Sequence, residues 1–303
     1  MGLAILLALA ASFCTAMSSV FQRLGARSLE RRRVHPRGFD IWLVFRLATQ
    51  PAWLVGFAAM IAGFVLQVSA LRLGPLALVQ PILAVELLFV FGYLAVSRAP
   101  SGGATGWRAV RWRDWLAAGG MSAGIGVFLL AAAPSGGRPH APAGPWWLAG
   151  GATLMAVAVV VAGGRAGSAG LADGGSAAWH AACLGIASGI GWGFVAAVIK
   201  ELSSRIDAGL GAVFTTWSVY VLIVAGAAAM VLTSHAMAAG PLAASQPGFT
   251  IFGPVVAILL GVFLFGEHLR VGATALAAEV LGLSVAAIGA WALSGSELIT
   301  EHG

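Results

Sequence analysis

Nine runs of about twenty apolar residues, with most of the charge gathered in the segments between them, leave this chain one way to bury itself. They lie near 2 to 22, 52 to 73, 75 to 97, 114 to 133, 146 to 163, 178 to 200, 211 to 235, 244 to 265 and 271 to 293. Soluble domains carry about 25% charged residues; here the fraction is 9%, against 59% hydrophobic, over 303 residues. The expected fold is therefore all-α, a polytopic membrane helical bundle of about nine transmembrane helices. The first run lacks a basic segment ahead of it and is read as a retained helix, not a cleaved signal.

The basic residues orient the bundle. With the first loop in the cytoplasm, twelve arginines, including the clusters from Arg23 to Arg37 and from Arg98 to Arg113, fall inside, and five basic residues fall outside. That bias expects an integral protein of the plasma (inner) membrane with its N-terminus outside and its C-terminus cytoplasmic. Residues 39 to 51 read either as an interfacial helix or as a tenth, short crossing. A crossing there would place the two arginine clusters on opposite faces, which favours the interfacial helix. The net charge of +6 would suit nucleic acid, but charges in short inter-span loops serve orientation, so no nucleic-acid partner is expected. The partners expected are the lipid bilayer and a small solute or cation, with a homodimer left open.

An octet occurs twice: Gly74-Pro75-Leu-Ala-Leu-Val-Gln80-Pro81 and Gly240-Pro241-Leu-Ala-Ala-Ser-Gln246-Pro247, identical at six positions. Each opens a long apolar run, and five spans separate the two starts. An odd number of crossings inverts the second copy, so the expected organisation is an inverted internal repeat. It divides the chain into a first half at 1–133 with four spans and the arginine-rich loop, a linking span and loops at 134–177, and a second half at 178–303 with four spans. In each octet Gly-Pro starts a helix without needing a backbone donor, and the second proline loosens the turns that follow. Both are read either as helix breaks of functional use or as tight hairpin turns. The amides of Gln80 and Gln246, kept where apolar residues would be less costly, favour use.

The Gly-Pro-x-Ala turn, the proline entering the next span and the Gly266-Glu267 pair just after the second-half span resemble the drug/metabolite transporter superfamily, including its EamA-type branch. The surroundings of Trp53, Gly56, Gly63, Gln80 and Pro81, with Lys200 ending a glycine-rich helix, are similar to the magnesium-transporter-like NIPA branch. The resemblance covers most of the chain through degenerate motifs, and the Gly-Glu pair has no counterpart after the matching first-half span. It implies a transport function, with magnesium or another divalent cation as one reading of the solute.

Glu86, at the middle of the third run and without a local cation, is the main candidate for a solute or proton site, since a carboxylate at that depth costs roughly 2.5 to 3.5 kcal/mol. Glu279 and Gln67 are candidate companions. Lys200, beside Glu201, is read as snorkelling to the outer interface, with a substrate role kept open by the resemblance; Glu267 is a secondary candidate with it. Gly185, Gly189 and Gly193 form one smooth face for helix packing. No metal-ligand spacing connects the six histidines, no cofactor or nucleotide-binding motif is present, and an enzyme is not expected. The function expected is a secondary transporter or facilitator working by alternating access, with proton coupling through Glu86. The rival from another class is a non-transporting membrane scaffold or assembly protein.

Overall fold

The computed structural model describes residues 1–30, 50–97, 111–168, 173–205, 209–239, 242–270 and 272–294. It is a helical bundle: α1 (Gly2–Glu30), α2 (Pro51–Leu73), α3 (Leu76–Leu83), α4 (Glu86–Ser97), α5 (Trp112–Ala132), α6 (Ala143–Ser168), α7 (Asp173–Ser203), a short α8 (Leu210–Thr215), α9 (Trp217–Ala239), α10 (Leu242–Phe265) and α11 (Ala273–Ser294). Two residue pairs form a minimal antiparallel ladder, β1 (Ser135–Gly136) against β2 (Glu267–His268). Among the described residues, eight helical segments are long and apolar enough to cross a membrane, α3 and α4 counting together, and α10 adds the shorter apolar stretch Ile251–Phe265. This is a helical membrane protein.

Two segments differ from the expected spans. The run at 75 to 97 is not one helix: the ladder stops at Leu83 and restarts at Glu86. Pro81 has no N–H to give to Ala77, and its ring crowds the preceding turn, so the helix fails within a turn of it. The run at 211 to 235 is divided as well, because Thr216 is extended (φ −86°, ψ 144°) and the long helix starts at Trp217. The stretch 39 to 49 lies outside the described residues; Pro51 begins α2, where its missing donor is no loss.

Close contacts between small residues hold the long helices together. A Cβ placed on Gly189 of α7 would lie 2.5 Å from the Gly248 carbonyl of α10, and one on Gly193 would lie 2.7 Å from that of Gly253. The same backbone-to-backbone approach joins α5 to α11, where a Cβ on Gly282 would stand 2.7 Å from both Gly124 O and Phe128 N. In lipid, where apolar side chains gain little from leaving their surroundings, such close packing is a main source of helix association. α7 is the centre of the bundle: 72% of its apolar window is buried, against 11% for α6 and for α9, which rest on it.

The helix ends are sorted. At one end of the bundle Gly74, closing α2, faces Ala4 at the start of α1, and the start of α3 meets Glu267 beyond the end of α10. Arg270 N–H donates to Ala132 O, bringing the end of α5 to the start of α11. Ala141, ahead of α6, meets Glu201 at the end of α7, and Trp146 of α6 stacks edge-on against Trp217, which opens α9. Successive long helices therefore run in alternating directions.

Candidate functional site

At the end where these termini meet, two features that are far apart in sequence make one contact. Gly266 takes φ 64°, a left-handed conformation suited to glycine, and its N–H donates to Val262 O at 3.1 Å, closing α10. That reversal turns the next side chain, Glu267, back into the bundle, where it is 3% exposed. Its carboxylate lands on the start of α3, just after the Gly74-Pro75 turn: Leu76 N–H donates to Oε1 (2.5 Å) and Ala77 N–H to Oε2 (2.9 Å). A free helix N-terminus has unpaired N–H groups and a partial positive charge, so a carboxylate there is favoured twice over. Lys200, in the last turn of α7, donates its ammonium to the same Oε1, and its Nζ stands 5.0 Å from the centre of the Phe265 ring. Side-chain exposures of 7% and 0% leave the pair almost without water. The snorkelling expected for Lys200 is replaced by a buried ion pair, because an uncompensated carboxylate at that spot needs a cation.

Beside it lies a second cluster that sequence reasoning missed. Glu201, 2% exposed, accepts from Ala141 N–H (3.0 Å), approaches His140 Nδ1 at 3.3 Å and sits 3.7 Å from an Arg205 terminal nitrogen. Its adjacency to Lys200 was visible in the chain; its burial was not, since residues at a span end ordinarily reach water.

Deeper in the bundle, the break between α3 and α4 exposes backbone. The last carbonyls of a helix lack partners; Ser12 of α1, fully buried, donates its hydroxyl to Leu83 O at 3.2 Å. Glu86 is the first residue of α4, where the new helix's dipole favours a negative charge. It is half-buried and accepts from Ser19 Oγ of α1 at 3.2 Å. On another side of the break an apolar cavity of about 40 Å³ is walled by Pro81, Ala84, Met121, Ile125, Pro254 and Ala286. Both prolines of this region thus flank one void, between the broken span and α10.

Glu279 is buried in α11, but it does not join Glu86. Val85 and Leu88, on either side of Glu86, pack against a cluster of Met121, Ile125, Ala286 and Ala290, and these two alanines lie seven and eleven residues beyond Glu279, about 10 to 16 Å along the helix. Gln67 lies one turn beyond Gly63, the α2 position that faces Thr15 and Cys14 of α1. Gln80 carries a buried amide nitrogen without a partner among the described residues. Gln246 and Pro247 lie within the continuous α10, their side chains outside the described residues, as are Gly240 and Pro241. Gly185, Gly189 and Gly193 all face α10. Among the described residues no three of His, Cys, Asp and Glu gather to hold a metal ion.

Against known proteins, the chain is similar to an uncharacterised protein of Corynebacterium glutamicum, 28% identical over 232 residues that cover 73% of this chain and 71% of that protein. No family model matches it. No solved structure matches it either.

Proposed function

We propose that the chain is a secondary transporter or facilitator of the drug/metabolite type, moving a small solute by alternating access between two inverted halves, with Glu86 as the binding or proton-carrying carboxylate. The observation that carries this reading is the broken span that restarts on Glu86. Irregular backbone and a carboxylate at that depth are tolerated where they serve a site between helices, and half-helix ends within the bundle are a recurring way for transporters to hold solutes.

The alternation of helix directions supports the inversion. Pairing the spans across the octets sets 2 to 22 with 178 to 200, 52 to 73 with 211 to 235, and 75 to 97 with 244 to 265; α1 begins where α7 ends, α2 ends where α9 begins, and α3 begins where α10 ends, so the members of each pair run in opposite senses. The count of nine spans and the orientation with the N-terminus outside belong to the same proposal. In it the Lys200–Glu267 pair closes the outer face, and opening that face requires the start of α3 to leave Glu267.

The test is flux in reconstituted vesicles, comparing wild type with Glu86→Gln for proton-linked uptake of small metabolites and for magnesium. Loss of flux in the variant is expected. Unchanged flux removes Glu86 from the mechanism, and no flux of any tested solute by the wild type leaves the scaffold reading in its place.

A further inference from the structure

We propose that the groove between α6 and α9 is a binding site for an anionic phospholipid, with one acyl chain along the groove and the phosphate near Arg205. The inference is independent of whether the chain transports anything.

The two walls both rest on α7 yet diverge from each other, leaving a volume of about 760 Å³ floored by Gly191 and Phe194. The hollow comes from the sequence of α6: a Cβ on Gly151 would meet nothing within 4 Å, and one on Gly150 would only touch the Phe194 ring at 4.0 Å. Along α6 the lining runs from Ala143 to Val157, and along α9 from Trp217 to Leu232. Fifteen to sixteen residues of helix are about 22 to 24 Å long, whereas one leaflet of a hydrocarbon core about 30 Å thick is roughly 15 Å deep. The groove thus has the reach of one acyl chain and its ester region.

Its chemistry favours an apolar occupant. The lining is aliphatic and aromatic, and its two hydroxyls are already engaged: Thr153 donates to Ala149 O (2.7 Å) and Tyr220 to Phe214 O (3.1 Å). Trp147, Trp217 and Tyr220 cluster at the end where α6 and α9 begin, as aromatics do at the level of lipid headgroups. The same end carries a cation with donors to offer. Arg205 is held by Glu201 only at 3.7 Å, and its side chain is 42% exposed. Glu201 in turn binds the N–H of Ala141, two residues ahead of the groove wall at Ala143. A phosphate above the groove mouth would meet this guanidinium.

The experiment places the full chain in vesicles of phosphatidylglycerol and phosphatidylcholine that contain a trace of either lipid with a photoactivatable diazirine midway along one acyl chain, and maps the cross-links by mass spectrometry. Labelling of α6 and α9 at Leu154, Val224 and Ala228 should exceed that of the lipid-facing residues Ile61 and Val65 of α2 by about fivefold or more, with the phosphatidylglycerol probe stronger. Gly151→Leu, which fills the hollow, should bring the ratio near one, and Arg205→Gln should abolish the preference for the anionic lipid. Equal labelling of groove and α2 in the unsubstituted protein would mean annular lipid only and overturn the proposal, whatever the variants do. A groove label insensitive to headgroup would overturn the role of Arg205.

Discussion

Removing the Lys200 ammonium leaves the Glu267 carboxylate buried on two backbone N–H groups, with its charge uncompensated. Both side chains are almost wholly enclosed, so solvent screening does little to soften the loss, and breaking such a pair from one side costs about 3 to 5 kcal/mol. Lys200→Met keeps most of the stem over Phe265 and deletes only the charge, which isolates that term. Glu267→Gln keeps the shape but sets an amide nitrogen against either the ammonium or the Ala77 N–H, so it too should be strongly destabilising. The double variant removes both charges at once. Because replacing a whole buried pair is often close to neutral, it should be more stable than either single variant, with a coupling of at least about 2 kcal/mol in the double-mutant cycle. The readout is thermal unfolding in detergent with a thiol-reactive fluorogenic dye, since both cysteines lie in helices and Cys183 is 7% exposed. Each single variant should lower the midpoint by on the order of 10 °C. Additive effects within about 0.5 kcal/mol would show that the two residues do not act as a pair.

Other outcomes follow from particular contacts. Ser12→Ala should destabilise by about 1 kcal/mol, because it leaves the part-buried Leu83 carbonyl without its hydroxyl donor; an unchanged unfolding midpoint would mean that water takes its place. Gly193→Ala or Gly282→Ala should lower the midpoint sharply, since each new Cβ would collide with backbone at 2.7 Å, whereas Gly226→Ala, with open space around it, should not. Pro81→Ala restores an N–H able to bond the Ala77 carbonyl, so helix content should hold while flux falls; flux at the wild-type level would show that the break is incidental to transport. A cysteine placed at Ser135 in a cysteine-free background should react with a membrane-impermeant thiol reagent from outside intact cells, and reaction from the cytoplasmic side alone would reverse the proposed orientation.

The long apolar helices were legible because hydropathy averages over some twenty residues, and single substitutions within a run do not alter it. Finer features depend on partners that the run does not contain. Pro81 marks where a helix loses a bond, yet the stop at Leu83 is supported by a hydroxyl 71 residues earlier, on Ser12. Glu86 was conspicuous as a carboxylate in an apolar run; its place at the first turn of a new helix, beside Ser19, was not. The groove between α6 and α9 had no sequence signal, because lipid-facing and groove-lining positions are apolar alike. Lys200 and Glu267 were each visible as charges at span ends, but 67 residues separate them and nothing in the spacing pairs them.

The signal that could have joined them is the glycine. A left-handed Gly266 closing α10 must send the next side chain back toward the bundle, and an acid in that position needs N–H donors. The donors are supplied by Leu76 and Ala77, the third and fourth residues of the first octet. The Gly-Glu pair after the second octet's helix is thus the cap of the first octet's helix, so two motifs read separately in the sequence are halves of one contact. The repeat copies the octet but not the cap: no Gly-Glu follows the first-half span to serve the second octet in the same way. Within the alternating-access proposal this makes the two faces unequal. The face held by Lys200 and Glu267 opens against a buried ion pair, and the sequence offers no second Gly-Glu pair to build the same cap for the other octet, so substitutions at this pair should shift the balance between the two open states and not merely slow both.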